Sequence, residues 1–389
     1  MARGSTPKKV EGPRGVVWKM TVDVGVDPAT GRRRQKKLTA PTRRELEVQA
    51  AKILADVSRG TYLEPEKKTL AEYLTEWLAM HGKSNLDPST LRRYEGAIHQ
   101  HIIPLIGSIP LAKLQPLHIQ EMLAKDLAGG RRDNKKSRDR ALSASTVLYH
   151  YHVLHKALNQ AMKWRLITYN PADLVEPPRK TKTEKAVLNE TEVAALLDGI
   201  RETYLYMPVF LIIYTGAREG EILALRWSDV DWDQNILHLR RSLYQRTPGQ
   251  PLFKEPKNKK ARAVDVSPVV MAELKKHRTE QRKQRLAFGP GYADLDLICC
   301  LQDGNPINPP TLSSVFRTKA RRLGLPVTLH GLRHTHASLL LKAGVPAKVV
   351  SERLGHSQIS ITMDLYSHVM PGMQKDAVKK LDDLLAGKA

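Results

Sequence analysis

Arg218, a lysine within 254–260, His330, Arg333, His356 and Tyr366 together supply the groups that metal-free covalent transfer of a DNA phosphodiester requires. Two guanidinium groups can grip one phosphodiester through paired N–H···O contacts, and they stay charged at any relevant pH. In-line attack on phosphorus gathers negative charge on the non-bridging oxygens, which fixed guanidinium groups stabilise without reorganising. A tyrosine hydroxyl is a poor nucleophile at neutral pH until its proton has somewhere to go. A histidine can take that proton, and a lysine or histidine can give one to the departing 5′ oxygen. Taken singly, each of these residues reads as ordinary: a lone Arg is usually a surface charge and a lone Tyr usually core. Only the combination, in this order, departs from that.

The elements that must position these groups can be read around them. Leu332 and Ser338–Leu340 make a helical stripe that Gly344 can end, and Pro346 suits the first turn of a following helix. His330 and Arg333 lie one turn apart near the start of the first of these helices, so they can face the same way. Upstream, Asn189 with Glu192 caps a helix over Leu188–Gly199, and an apolar helix follows over Leu205–Tyr214. Next come T-G-A-R-E-G-E-I-L-A-L-R-W, β-type segments at Ile236–Leu239 and Ala263–Val266, and the basic loop Lys254–Arg262 between them. Helices return over Pro268–Leu286 and Thr311–Leu323.

Other chemistries find little support. There is no G-x-x-x-x-G-K-[ST], no G-x-G-x-x-G after a strand and no H-E-x-x-H. His330, His334 and His336 have no carboxylate at ligand spacing, so no metal is expected, and no cofactor. Asp229-x-Asp231-x-Asp233-x-Asn235 lacks the glycine and glutamate of a calcium loop and reads as a polar hairpin entry. Cys299 and Cys300 are neighbours in an apolar run and read as reduced core residues.

The chain has 389 residues, enough for two or three domains, and a formal net charge of +23. Such an excess predicts a polyanionic partner, with double-stranded DNA first. No run of about 18 apolar residues and no signal-peptide core appears, so a cytoplasmic, nucleoid-associated protein is expected. Residues 1–13 read as a flexible basic tail. The span 14–60 reads as a β-rich module: a strand at Val16–Val26, turn chemistry at Asp27–Gly31, a basic strand at Arg32–Leu38, and a helix capped by Thr42 with Glu45. Arg32, Arg33, Arg34, Lys36 and Lys37 are candidate DNA contacts, or else a solvated strand face. Residues 65–176 read as a helical bundle with starts at Thr69, Asp87, Pro116 and Ser143 or Ser145, a break over Pro104–Pro110, and a charged loop over Gly129–Arg140. Thr90, Arg92 and Arg93 suit phosphate contact near one helix start, although a solvated helix face predicts the same residues. Residues 177–186 form a linker to a third domain, 187–389.

Arg218 in T-G-A-R-E-G-E, then H-G-L-R-H-T, then L-G-H, with Tyr366 ten residues after His356, resembles the tyrosine recombinases, also called the phage-integrase family. The catalytic match covers about 185–370. The resemblance implies that Arg218, Lys257, His330, Arg333, His356 and the nucleophile Tyr366 form the active site, with Glu221 orienting it. Lys259 and Lys260 lie within reach of the same turn and stay open as alternatives to Lys257. The implied fold is multidomain and mainly α with small β elements: a β-rich N-terminal arm-binding module, a helical core-binding (SAM-like) bundle and a mixed, mostly helical tyrosine-recombinase catalytic domain. The implied activity is site-specific recombination through a 3′-phosphotyrosyl intermediate, integrating and excising a mobile element such as a phage. Attachment-site DNA, a homo-tetramer, an excisionase and a host DNA-bending protein are the implied partners. Val378, Leu381 and Leu384–Leu385 would form a C-terminal tail helix that packs on its own domain or on a neighbouring protomer.

Two other classes share parts of this pattern. A type IB topoisomerase would relax supercoils on DNA lacking an attachment site. A non-enzymatic DNA-binding regulator would form no covalent adduct.

Overall fold

The computed structural model describes residues 5–12, 15–26, 31–59, 62, 68–82, 86–130, 141–180, 186–247, 250–255, 261–356, 358–360, 362–363, 378, 381–383 and 385–386. The chain divides into two compact units, Met1–Lys182 and Thr183–Ala389.

The first unit opens with an antiparallel three-stranded sheet of Lys8–Gly12 (β1), Gly15–Val26 (β2) and Arg33–Ala40 (β3), in that order. Part of the tail expected over residues 1–13 is therefore a strand, with Lys9 opposite Trp18 and Val10 opposite Val17. An edge strand needs backbone partners more than a hydrophobic period, and K-K-V-E-G shows no such period. Helix α1 (Arg43–Ser58) is capped by the Thr42 hydroxyl, which accepts from the Glu45 N–H. Leu46 and Ala50 on this helix pack with Val22, Leu38 and Ala40 of the sheet as a small core of their own.

A helical bundle follows. Thr69 and Glu72 form a capping box at the start of α2 (Leu70–Trp77), which runs on through a π turn, Leu78–Gly82. Helix α3 (Pro88–Ala97) is capped by Asp87 and continues through a second π turn, Ile98–Ile102, into α4 (Ile103–Ile106). The break expected from Pro104 thus begins only after Ile106. Pro104 sits in the first turn of α4, just past the π turn, where the wider backbone accommodates its missing N–H and its ring. Helices α5 (Pro116–Gly129) and α6 (Ala144–Lys163, capped by Ser143) complete the bundle around Tyr73, Leu74, Trp77, Ile98, Leu123 and Leu154. The buried Tyr73 hydroxyl donates to the Ala157 carbonyl at 2.6 Å.

In the second unit, Asn189 and Glu192 cap α7 (Glu190–Ile200) reciprocally. Helix α8 (Tyr206–Thr215) is apolar on nearly every side, so it is buried in the middle of the core. Short helix α9 (Glu219–Leu223) leads to the antiparallel sheet of β4 (Val230–Asp231), β5 (Ile236–Leu239) and β8 (Arg262–Asp265). A hairpin of β6 (Ser242–Thr247) and β7 (Gln250–Lys254), not evident from the sequence, is inserted between β5 and β8. Helices α10 (Pro268–Phe288), α11 (Pro309–Arg322), α12 (Leu329–Lys342) and α13 (Ala347–Leu354) follow. The Asp231 carboxylate accepts from the N–H groups of Asp233 and Gln234, closing the polar turn before β5. Cys299 is buried, Cys300 half-buried, and both are free thiols. Val378, Leu381 and Leu385 are exposed helical residues, whereas Leu384 lies outside the described residues.

Candidate active site

Glu221 organises the site. Its side chain is 1 % exposed and accepts four hydrogen bonds: from the N–H and Nη1 of Arg218 at 2.9 and 2.8 Å, and from Nη1 and Nη2 of Arg262 at 3.0 and 2.7 Å. Burial alone would raise this carboxyl, but the hydrogen bonds and charge of Arg262, with those of Arg218, hold it at about 2. Local sequence explains the placement. Gly216 ends α8 in the left-handed region, φ 65°, and Arg218 is then the residue that precedes α9. One turn into α9, Glu221 reaches back to the orphan N–H of Arg218.

Arg218 also donates through Nη2 to the Gly355 carbonyl at 3.1 Å. Arg333, on α12, is 2 % exposed and donates to the carbonyls of Gly216 and Leu354, each at 2.6 Å. These two bonds use two of the five N–H donors of a guanidinium, so its plane is fixed while further donors are left over. Burial, reinforced by the Arg218 charge, lowers Arg333 to about 9, and it remains a cation at neutral pH. Arg218, His330 and Arg333 line one cleft, together with Glu219, Ser313 and Tyr244. His330 is exposed in the first turn of α12, its ring edge-on to His334 with centroids 4.7 Å apart.

His356 follows α13, whose end is marked by Gly355 at φ 66°. Its Nδ1 lies 2.8 Å from the hydroxyl of the fully buried Thr362. Burial first, then the charges of Arg333 and Arg218, push this imidazole down to about 4, so it is neutral at pH 7. Behind the cleft, Arg353 donates to His336 Nε2 and to the carbonyls of Asp265 and Tyr214. His336 Nδ1 meets the Ile213 carbonyl at 2.8 Å, and burial holds this histidine at about 4.

The structure therefore brings Arg218, Glu221, His330 and Arg333 together around one cleft, with the backbone next to His356 bonded to both arginines. Lys257, its alternatives Lys259 and Lys260, and Tyr366 lie outside the described residues. Described residues approach both segments: Lys254 and Arg262 on either side of the lysines, Met363 before the tyrosine. Arg262 went unnoticed in the sequence, since nothing in K-A-R-A-V-D-V separates it from the neighbouring cations. Glu219 was missed as well. Both its carboxylate oxygens face the Ser313 hydroxyl, at 2.9 and 3.0 Å, and burial pushes it up to about 7 against that bond.

In the first unit, Arg32, Arg33, Arg34 and Lys37 are exposed on or beside the edge strand β3, and Lys36 is half-buried with its ammonium over the Tyr62 ring. Thr90 is half-buried in the first turn of α3, and Arg92 and Arg93 are exposed there. The Arg93 guanidinium lies over the Tyr149 ring at 4.5 Å.

Residues 186–372 match the model of the "Phage integrase family", and residues 69–127 match "Phage integrase, N-terminal SAM-like domain". The chain belongs to the phage integrase family. It is a tyrosine-type site-specific recombinase, an enzyme. It is 28% identical to a "Tyrosine recombinase XerC-like" of Caldanaerobacter subterraneus subsp. tengcongensis, over 94% of this chain and 96% of that one. It is 24% identical to the "ICEBs1 integrase" of Bacillus subtilis, over 95% and 97%. Among solved structures, the fold is similar to that of the Tn1549 transposon integrase in complex with a circular intermediate DNA, with TM-score 0.68, 18% identity and coverage of 81% and 99%. It is also similar to the lambda integrase tetramer bound to a Holliday junction, with TM-score 0.59, 19% identity and coverage of 89% and 92%. Among the described residues, no helix is long and apolar enough to cross a membrane.

Proposed function

We propose that this integrase inserts and excises a mobile element, acting as a tetramer on attachment-site DNA, with Tyr366 as the nucleophile. Tyr366 Oη attacks the scissile phosphorus, forming the phosphotyrosyl bond as the bond from phosphorus to the 5′ oxygen breaks. The phenol proton passes toward His330, and Lys257 supplies the proton that the 5′ oxygen takes up. Arg218 and Arg333 hold the non-bridging oxygens. His356 is neutral, so with Thr362 on Nδ1 its other nitrogen can donate to a phosphate oxygen. The bond energy stays in the phosphotyrosine, and attack by a partner strand's 5′ hydroxyl reverses the step.

The observation that carries this reading is the pair of guanidinium groups, Arg218 and Arg333, locked by Glu221 and by three backbone carbonyls beside His330. Donors fixed before substrate arrives stabilise developing phosphate charge without reorganisation. The upstream segments support the reading with a net charge of +23 over the chain. In it, 14–60 serves as the arm-type DNA-binding module, 65–176 as the core-binding domain and 187–389 as the catalytic domain. The homologue named an integrase of ICEBs1, a mobile element, supports that source for this chain too. An excisionase and a host DNA-bending protein are the further partners it would use.

The test is a nicked duplex built from the junction sequence of the element that carries the gene. Wild-type protein should leave a denaturation-resistant protein–DNA adduct on it. An adduct that persists in Tyr366→Phe would sink the nucleophile assignment.

A further inference from the structure

The helical bundle holds a cluster of titratable groups that strand transfer does not use. His101 lies on the π turn Ile98–Ile102, Asp126 on α5 and His150 on α6. The ligand-capable atoms of the three lie within 4.8 Å of one another. Asp126 is 0 % exposed and His150 3 %. Half of the cluster is satisfied, because His150 Nδ1 and Asp126 Oδ2 are hydrogen-bonded at 2.7 Å. The other half is not. His101 Nδ1 faces Asp126 Oδ1 at 3.6 Å, and both atoms are buried without a hydrogen-bond partner.

A separation of 3.6 Å is too long for an N–H···O bond. It is close to the spacing of two donors on one ion, since bonds of about 2.0–2.2 Å at a tetrahedral angle place donor atoms about 3.3–3.5 Å apart. Burying two polar atoms face to face without a bond is costly, and a divalent cation between them would satisfy both. A π turn inside an α-helix often marks a functional position, and here it is the turn that carries His101.

We propose that His101, Asp126 and His150 form a binding site for one divalent transition-metal ion of the zinc class. Two imidazoles and one carboxylate are a borderline donor set that suits Zn2+ and its neighbours better than Mg2+ or Ca2+. On binding, the His150 hydrogen bond to Asp126 opens, its ring proton moves from Nδ1 to Nε2 by exchange with solvent, and the neutral imidazole takes the ion through Nδ1. The role is structural, because the ion ties the π turn to α5 and α6. It also fixes a backbone anchor: the Asp126 carbonyl accepts from Gly130 N–H at 3.0 Å and Leu142 N–H at 3.2 Å, the residues flanking the basic segment 131–140.

The experiment uses the full chain, stripped with a chelator and titrated with Co2+ as a spectroscopic probe. The expected result is visible d–d absorption that saturates at one ion per chain and is displaced by Zn2+. Zn2+ should also raise the melting temperature above that in chelator. Asp126→Asn and His101→Gln should each weaken uptake about tenfold or more. His101 is partly exposed, so its variant serves if Asp126→Asn does not fold. Wild-type protein with neither a Co2+ spectrum nor a melting shift would overturn the proposal and leave a plain hydrogen-bonded pair. So would uptake unchanged in His101→Gln, which would place the ion on other side chains.

Discussion

Arg262 donates both terminal nitrogens of its guanidinium to the Glu221 carboxylate, at 3.0 and 2.7 Å, and its Nε to the Arg353 carbonyl at 3.0 Å. Its plane also backs Gly355, where an added Cβ would sit 3.1 Å from Nη1. One side chain on β8 thereby ties the anion that orients Arg218 to the turn that presents His356.

Removing Arg262 should therefore damage catalysis from behind the reacting groups. Arg262→Ala leaves Glu221 buried with one cationic partner instead of two, at a cost of about 2–3 kcal/mol to folding. Cleavage of the nicked duplex should slow about 10- to 100-fold, as for other supporting contacts. Arg262→Lys should recover little, since an ammonium cannot bridge both carboxylate oxygens in this geometry. Single-turnover cleavage on protein shown to be folded checks this, and wild-type rates in Arg262→Ala would refute it.

Three groups set the acid limit of the catalytic unit. Glu221 is held at about 2, below its ordinary carboxylate value, so the stability it contributes is complete above about 4.5 and lost as pH falls toward 2. His336 and His356 are held at about 4, below an ordinary imidazole. The unfolded chain takes up their protons first, and stability falls as pH drops from about 6.5 to 4. Denaturation followed from pH 7 to 4 should show this loss beginning near pH 6.5. His336→Gln should flatten the slope in that window; an unchanged slope contradicts the assignment.

Glu219 works in the opposite direction. Burial raises it to about 7, so its native form is best accommodated when protonated, and it withdraws stability as pH rises from about 4.5 to 7. Glu219→Gln keeps an acceptor for Ser313 without the charge. At pH 8 it should be more stable than wild type by about 1–2 kcal/mol, and at pH 4.5 about equal. Urea unfolding at the two pH values decides the point, with equal differences at both counting against it.

Gly216 tolerates no side chain. Its φ is 65°, and an added Cβ would lie 2.5 Å from His336 Cδ2 and 2.6 Å from Leu354 Cδ2. Its carbonyl also receives Arg333. Gly216→Ala should cost about 2–3 kcal/mol and lower cleavage more than stability alone explains, because Arg333 loses its rest position. Melting temperature and single-turnover cleavage, measured on the same preparation, test both parts.

Proton donation is testable through the leaving group. In Lys257→Ala, a 5′-bridging phosphorothiolate should restore cleavage, because sulfur departs without needing a proton. Failure of rescue would move the role to Lys259, Lys260 or another group, each to be substituted in turn.

By itself the sequence determined the elements whose period and caps are local. Thr42, Thr69 and Asn189 each cap a helix as their spacing predicts, Ser143 rather than Ser145 caps α6, and H-G-L-R placed His330 and Arg333 one turn apart on α12. The residue types suited to gripping a phosphodiester could be picked out too, because their chemistry does not depend on fold, and the structure puts Arg218, His330 and Arg333 on one cleft. Local pattern failed where pairing decides: β1 and the β6–β7 hairpin pair across short turns but are weak in hydrophobic period, and Pro104 continues a helix because a π turn precedes it. Only the tertiary structure showed that Arg262, among several similar cations, is the one on Glu221, and that Glu219 sits buried against Ser313. The physical reason is that charge, burial and hydrogen-bond partners belong to pairs of residues, and these pairs are 41 and 94 positions apart in the chain.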